Sequence, residues 1–205
     1  MPSGEQLSPL AMAALGLLAE RAMHPYEMYQ LLIHRHEDRL LKVRPGTLYH
    51  AVDRLVGAGL VEAIGTTRDG NRPERTTFAI LPAGTARLAA GLRSLLAEPV
   101  KEYPRFAQAL SEAHNLPAAE VIELLDVRRA ALEKEFAVLE ADRKLALARE
   151  VARQYWIDVG YQQHLLRAEL DWLQRLCSEL HEGSLPWMDK PPGSTAPQIA
   201  TEANQ

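Results

Sequence analysis

Cysteine is nearly absent from this sequence, and its scarcity excludes several kinds of site. The 205 residues include one cysteine, Cys177, so the chain has no internal disulfide and no CxxC metal or redox motif. Cys177 lies in a helical apolar pattern. We therefore expect it to be buried as a small hydrophobic residue rather than to act as a nucleophile.

Long hydrophobic runs are also lacking. No apolar stretch approaches the roughly 20 residues that a membrane-spanning helix needs. The opening residues Met-Pro-Ser-Gly-Glu-Gln lack the basic segment followed by an apolar segment that marks a signal peptide. We therefore expect a soluble, cytoplasmic protein without a membrane partner.

Signatures of catalysis are missing as well, because no GxSxG, Walker, GxGxxG or HExxH pattern occurs. The run His34-Arg35-His36-Glu37-Asp38 gathers nitrogen and oxygen ligands. Residues two apart point to different sides of a helix, so these side chains could share a metal only in a loop. The alternative is a solvated helix end. We expect no enzymatic activity, no metal and no organic cofactor.

Positive charge is scarce overall, since the formal net charge is −4. Residues 1–98 hold 11 Lys and Arg against 10 Asp and Glu, whereas residues 99–205 hold 12 against 17. The acidic excess therefore belongs to the C-terminal half. A nearly neutral N-terminal half remains compatible with nucleic-acid binding, which depends on where the basic side chains are placed.

The segment 45–57 has the pattern of a two-faced helix. Pro45 suits its first position, where a fixed φ and a missing N–H cost nothing. Apolar residues at i, i+4 and i+7 form one face, namely Leu48, Val52 and Leu55. The opposite face is largely polar and carries Thr47, His50, Asp53 and Arg54.

A β-hairpin is expected after this helix. Gly57 and Gly59 end the helix, and residues 60–64 and 76–80 then pair around a turn at 68–73. Arginines stand before the helix and around the turn: Arg44, Arg68, Arg72 and Arg75. A polar-faced helix followed by a hairpin with a basic tip predicts a winged helix-turn-helix. The alternative is a small α+β domain with an ordinary, solvated hairpin.

Proline, glycine and cap residues predict six further helices, at residues 9–20, 24–35, 82–98, 105–114, 117–148 and 150–182. In the second of them, Tyr26, Tyr29 and Ile33 repeat at helical spacing and are expected to face the core. Pro99 and Pro104 mark a joint. The expected domains are therefore 1–98 and a helical 99–183, followed by a disordered tail at 184–205 whose beginning Trp187 holds down.

The last long helix carries two apolar stripes. One contains Val151, Tyr155, Val159, Leu166, Leu170, Leu173 and Leu180, and the other contains Tyr161, Leu165, Trp172 and Leu176. A surface helix of a monomer usually needs one stripe. The second stripe favours a homodimer, the commonest kind of oligomer. A central helix in a monomeric bundle is the alternative.

Aromatic and hydrogen-bonding side chains also concentrate on this helix. They predict a site for a flat aromatic effector, formed by Tyr155, Trp156, His164, Arg167 and Trp172. Aromatic walls bind flat rings, and His164 or Arg167 could pair with a carboxylate or phenolate. Plain dimer packing would explain the same residues.

Spaced motifs run in order along residues 8–90. They begin with Leu10 to Leu18 and His24-Pro25-Tyr26-Glu27-Met28. They continue with Pro45-Gly46-Thr47-Leu48-Tyr49, Arg54-Leu55, Gly59-Leu60-Val61-Glu62, Arg72-Pro73, Arg75, Phe78 and Pro82-Ala83-Gly84. This ordered set resembles the PadR family of transcriptional regulators. The sequence departs from the family at Pro25 and near Asn71, where Gly is usual, and at Leu81, where a Thr would cap the next helix.

The resemblance implies a mostly α-helical repressor with a small β-hairpin wing, an N-terminal winged helix-turn-helix and a C-terminal long-helix dimerisation domain. A homodimer would place two recognition helices in major grooves about 34 Å apart on double-stranded operator DNA. Thr47 and His50 would approach base edges and Tyr49 and Arg44 phosphates, with Gly46 and Arg54 on the same surface. The backbone or minor groove would meet Arg68, Arg72 and Arg75.

The resemblance also implies an aromatic or phenolic small molecule as effector. The rival interpretation is a winged-helix protein-interaction module that does not bind DNA. The weak basic charge and the exposed position of Asp53 are consistent with this rival.

Overall fold

The computed structural model describes residues 7–67 and 75–188, apart from the side chains of residues 66, 67 and 75. The chain divides into two compact units, of which the first ends at Lys101 and the second begins at Glu102. The described residues are mostly helical, with a single antiparallel hairpin, and this confirms the fold class expected from the sequence. No helix among them is long and apolar enough to cross a membrane.

Three helices open the first unit: α1 at Pro9–Glu20, α2 at Pro25–His34 and α3 at Pro45–Gly57. Each has proline in its first turn, where the missing N–H removes no helical hydrogen bond. The Ser8 hydroxyl caps α1 by accepting the Ala11 N–H at 3.2 Å. The His24 ring caps α2 in the same way, since its Nδ1 accepts the Tyr26 N–H at 3.1 Å.

The hairpin and one further helix complete this unit. Strand β1 is Val61–Thr67, strand β2 is Arg75–Ile80 and helix α4 is Pro82–Ala97. The strands pair antiparallel, with Val61 opposite Ile80 and an irregularity between Ala63 and Gly65. Gly59 precedes β1 with φ +67°, a left-handed conformation that favours glycine. Strand β1 ends three residues later than the sequence predicts, and β2 begins one residue earlier.

The core of the first unit collects apolar side chains from α1, α2, α3 and β1, including Leu15, Met28, Leu32, Leu48 and Val61. The prediction that Tyr26 and Ile33 face this core is wrong, because both are exposed. Helix α2 has two apolar stripes one residue apart, and it buries Pro25, Met28 and Leu32 instead.

The described part of the second unit contains three α-helices: α5 at Arg105–Glu112, α6 at Ala118–Ala148 and α7 at Ile157–Glu182. A 3₁₀ turn at Ala113–Asn115 follows α5. The expectation of a last helix from residue 150 is wrong at its start. Glu150 has φ 53°, which interrupts a right-handed helix, and Arg153–Tyr155 form a 3₁₀ turn. Val151 and Tyr155 consequently do not belong to the stripe of α7.

A core forms where α6 and α7 meet, with Val121, Leu125, Leu173, Cys177 and Leu180 buried. Cys177 is buried as expected, and this burial raises the pKa of its thiol. Gly183 ends α7 with φ 69°. After α7, Leu185 and Trp187 pack against this core and Trp187 Nε1 donates to the Leu116 carbonyl at 2.9 Å, so Trp187 holds down the beginning of the C-terminal segment as the sequence analysis expects. Residues 189–205 lie outside the described chain.

Polar contacts fix the register of α6 against α7. The buried amide of Gln163 donates from Nε2 to Glu140 Oε2 at 2.9 Å. Arg128 Nε donates to Glu169 Oε1 at 2.7 Å, six residues further along α7 than Gln163. Hydrogen bonds from the Arg143 guanidinium and then from Gln163 lower the pKa of Glu140 from 4.5 to about 2.

Candidate nucleic-acid interface

Helix α3 presents a polar face to solvent because its apolar face is fully used in the core. Leu48, Val52 and Leu55 are buried, as the sequence predicts. The exposed face carries Thr47, His50, Asp53 and Arg54. An amphipathic helix buried on one side only leaves the other side available for a partner.

The first turn of α3 constrains what Thr47 can offer. The Arg44 carbonyl accepts the Leu48 N–H at 3.1 Å and the Thr47 hydroxyl at 2.8 Å. Since the hydroxyl proton is already used, Thr47 presents oxygen lone pairs and a methyl group to a partner. Gly46 lies in the same exposed turn, and a Cβ there would meet nothing within 4 Å.

Basic side chains border this turn. Arg44 and Lys42 are exposed just before α3, and Arg54 is exposed in its last turn. Lys42 was not among the residues singled out from sequence, although its position next to the helix start could have indicated it. The N-terminus of a helix also carries partial positive charge, so this end of α3 is suited to a phosphate.

Tyr49 is 39% exposed at the edge of the α3 surface. Its ring meets the ring of His24 edge-on, with centroids 5.8 Å apart and planes at 76°. The sequence predicts a helix start at His24-Pro25 but gives no sign that His24 contacts α3, because only tertiary packing brings these two residues together.

Two of the wing arginines, Arg68 and Arg72, lie outside the described residues. Arg75 begins β2, where its backbone pairs with that of Thr67. The pairing of Thr67 with Arg75 thus places the two described residues that flank segment 68–74 side by side, in the same unit as α3.

The predicted effector residues are distributed along the last part of the chain. Tyr155 is 73% exposed before α7, and Trp156 Nε1 donates to the Val151 carbonyl at 3.0 Å. His164 and Arg167 are exposed on α7, and Trp172 packs edge-on against Phe106 with centroids 6.5 Å apart. Sixteen helical residues span about 24 Å, so one chain does not bring Trp156 and Trp172 into one pocket.

A groove of about 560 Å³ lies instead between α5 and the first half of α6. Its walls are mostly apolar and include Phe106, Leu110, Leu116, Val121, Leu124 and Arg128. The Arg128 guanidinium stacks 3.6 Å from the centroid of the Phe106 ring, and the Trp172 ring lies nearly perpendicular to that ring, at 85°. The sequence analysis missed this groove because it depends on how α5 packs beside α6.

The histidine cluster considered as a metal site is divided by the end of α2. His34 is the last residue of α2, whereas His36 follows it with φ 58°. Within the described ranges 7–67 and 75–188, no group of three or more His, Cys, Asp or Glu residues is arranged to hold a metal.

Comparison with known proteins gives a family match for part of the chain and a shared fold for most of it. Residues 14–90 match the model of the transcriptional regulator PadR-like family. No protein of curated function matches the chain in sequence.

Solved structures extend the likeness to most of the chain. Bacillus subtilis PadR in complex with operator DNA is 15% identical with a TM-score of 0.72, over 84% of this chain and 99% of that one. The same protein in complex with p-coumaric acid is 12% identical with a TM-score of 0.72, over 84% and 98%. The Vibrio cholerae virulence activator AphA is 18% identical with a TM-score of 0.53, over 84% and 98%. At these identities the likeness is one of fold.

Proposed function

We propose that the protein is a homodimeric, sequence-specific DNA-binding repressor, since residues 14–90 match the model of the transcriptional regulator PadR-like family. The observation that carries the proposal is the exposed polar face of α3, whose first turn is bordered by Arg44 and Lys42. A fold shared with Bacillus subtilis PadR in complex with operator DNA supports it.

In this proposal α3 is the recognition helix and enters the major groove. Its N-terminal residues contact base edges, as in other helix-turn-helix proteins. Thr47 reads a base that offers a donor or a thymine methyl group, since its own proton is bonded to the Arg44 carbonyl. His50 lies one turn further along the same face. Arg44, Tyr49 and Arg54 contact phosphates beside them.

The hairpin supplies the second contact. Arg68, Arg72 and Arg75 extend from the wing to the DNA backbone or minor groove, where they add affinity without base selection. The pairing of β1 with β2 supports this assignment, because it places Thr67 and Arg75, which flank segment 68–74, in the unit that carries α3.

Dimerisation by the second unit is supported by apolar surface on α7. Tyr161 is 65% exposed and Leu165 is 50% exposed, and Trp172 is also exposed on this helix. Leu176 of the same predicted stripe packs against the core of the unit, so the stripe is only partly left uncovered. Exposed apolar residues in a row mark interaction surfaces, and a second copy of the chain is the partner we propose.

Repression follows if the dimer occupies an operator and blocks transcription from it. An aromatic or phenolic effector would release the DNA by preferring the arrangement of the dimer that does not bind. The fold shared with Bacillus subtilis PadR in complex with p-coumaric acid supports an effector of this class. The start of α7 at Trp156 and the groove between α5 and α6, whose Phe106 contacts Trp172, are the two candidate positions for it.

A salt titration tests DNA binding. The probe is a duplex selected by the protein from a random library, and its affinity is followed by fluorescence anisotropy. Six to ten phosphate contacts predict a loss of about 10³-fold or more between about 50 and about 200 mM salt. A protein-interaction module without DNA binding would select no duplex and would show no such dependence.

Tryptophan fluorescence tests the effector and its position. A panel of phenolic and drug-like compounds is added to the full chain and to the variants Trp156→Phe, Trp172→Phe and Leu110→Trp. Quenching that is lost in Trp156→Phe places the ligand at the start of α7. Additional quenching that appears only in Leu110→Trp places it in the groove. Binding should also release the selected duplex. Quenching without release would identify a ligand that is not an effector.

A further inference from the structure

The backbone holds His24 in place from both sides. Met23, immediately before it, exchanges two hydrogen bonds with Phe78 of β2, each 3.1 Å from N to O. Pro25, immediately after it, is buried and begins α2. His24 therefore stands at a fixed point between a wing strand and the start of α2.

The imidazole is itself fixed by a cap. Its Nδ1 accepts the Tyr26 N–H at 3.1 Å, so the accepting nitrogen carries no proton. This bond satisfies one of the backbone donors that the first turn of a helix leaves without a helical partner. The plane of the ring is thereby set by α2.

The same ring reaches the exposed surface of α3. It meets Tyr49 of α3 edge-on, at 5.8 Å between centroids and 76° between planes. Edge-on aromatic pairs of this kind shift an equilibrium by about two- to tenfold. Tyr49 has solvent on its other side, since it is 39% exposed. The contact with His24 therefore restricts a side chain that is otherwise at the protein surface.

We propose that His24 is a positioning residue that holds the Tyr49 ring in the orientation in which Tyr49 meets the DNA backbone. His24 acts through Tyr49, because ordering this ring before binding removes part of the entropy cost of the complex. The cap on α2 and the placement of Tyr49 on α3 are thus functions of one imidazole. The proposal rests on the proposed function, since it assigns a role in DNA binding.

Two substitutions separate the cap from the ring contact. His24→Asn keeps a good capping side chain but removes the ring, so its melting temperature should stay near that of the wild type. Its dissociation constant should rise about two- to tenfold for the selected duplex and for random duplex alike, as expected for a phosphate contact. His24→Phe keeps a ring without the acceptor. It should melt about 4–8 °C lower, yet bind DNA like the wild type well below that temperature.

Ser8→Ala is the matched control. This substitution removes the Ser8 hydroxyl that caps α1 by accepting the Ala11 N–H at 3.2 Å. It should lower the melting temperature without changing DNA affinity. In a Tyr49→Leu background, His24→Asn should cause no further loss of affinity. Wild-type affinity in His24→Asn, or an equal loss of affinity in folded His24→Phe, would overturn the proposal.

A readout without DNA distinguishes this inference from the proposed function. In full-length protein with labelled tyrosines, the NMR signals of the Tyr49 ring should move in His24→Asn and stay in place in Ser8→Ala. Unmoved Tyr49 signals in His24→Asn would refute the contact itself. Failure of the wild type to select any duplex would instead refute the proposed function while leaving the contact intact.

Discussion

Gly84→Ala is expected to destabilise the first unit strongly, because no space exists for a methyl group at this position. Gly84 is the third residue of α4, and a Cβ built there would lie 2.2 Å from the Leu60 carbonyl oxygen and 2.8 Å from Ile80 Cγ1. The Leu60 carbonyl also accepts the Leu81 N–H at 3.0 Å. The clash therefore falls on the backbone of Leu60, whose carbonyl is hydrogen-bonded to the residue before α4, and it cannot be relieved by a side-chain rotation.

The size of the effect follows from two opposing terms. Displacing packed backbone and a core side chain costs about 3 kcal/mol, the upper end for overpacking. Alanine in place of glycine inside a helix returns about 1 kcal/mol. The expected net loss is about 2 kcal/mol, which lowers the melting temperature of a domain of this size by about 8–16 °C.

Gly91→Ala provides the control within the same helix. The nearest atom to a Cβ at Gly91 is Met12 Cε at 3.0 Å, the flexible end of a side chain. This variant should therefore melt at or slightly above the wild-type temperature. Thermal unfolding followed by circular dichroism, at one protein concentration, measures both. If Gly84→Ala were as stable as Gly91→Ala, the close packing of α4 on the base of the hairpin would be refuted.

Three further outcomes are expected. Arg72→Ala should weaken binding to the selected duplex and to random DNA alike and reduce the salt slope by about one. Thr47→Ala should instead cost about 1–3 kcal/mol of binding free energy on the selected duplex alone. Equal DNA affinities of Arg72→Ala and wild type would refute the wing contact. Leu165→Glu should sediment as a monomer, because it places a charge in the exposed apolar surface of α7. His164→Glu, at the neighbouring exposed position, should remain dimeric. A wild-type protein that sediments as a monomer would refute the dimer. The pKa of Glu140 is about 2 in the folded protein, against 4.5 for an unperturbed glutamate. The stabilisation of the folded state by the ionised carboxylate is therefore complete above about pH 4.5 and is lost as the pH falls toward 2. The free energy of urea unfolding should consequently depend less on pH in this range for Glu140→Gln than for the wild type.

Much of the first unit was predictable because its signals are local. The period of Leu48, Val52 and Leu55 defines the buried face of α3 without any knowledge of its neighbours. Ser8-Pro9 likewise marks the start of α1 by capping alone, and Gly59 marks the approach to β1 by its backbone conformation alone. These residues were enough to indicate a two-faced helix followed by a hairpin.

Other features depended on which surfaces meet. Helix α2 has two apolar stripes of similar quality, and only packing selects Met28 and Leu32 over Tyr26 and Ile33. Glu150 adopts a left-handed conformation and α7 begins only at Ile157, although no glycine or proline near Glu150 indicates this break in the sequence. The groove beside Phe106 depends on how α5 lies on α6, which sequence periodicity does not specify.

The sequence by itself determined the local chemistry: a polar-faced helix, a hairpin with arginines around its turn, and long helices with apolar stripes. The tertiary structure alone decided which of these residues touch, and so brought His24 to Tyr49, Gln163 to Glu140 and Gly84 to the Leu60 carbonyl. Periodicity and capping act over a few neighbouring residues, whereas these contacts join separate elements and exist only once the whole unit has packed.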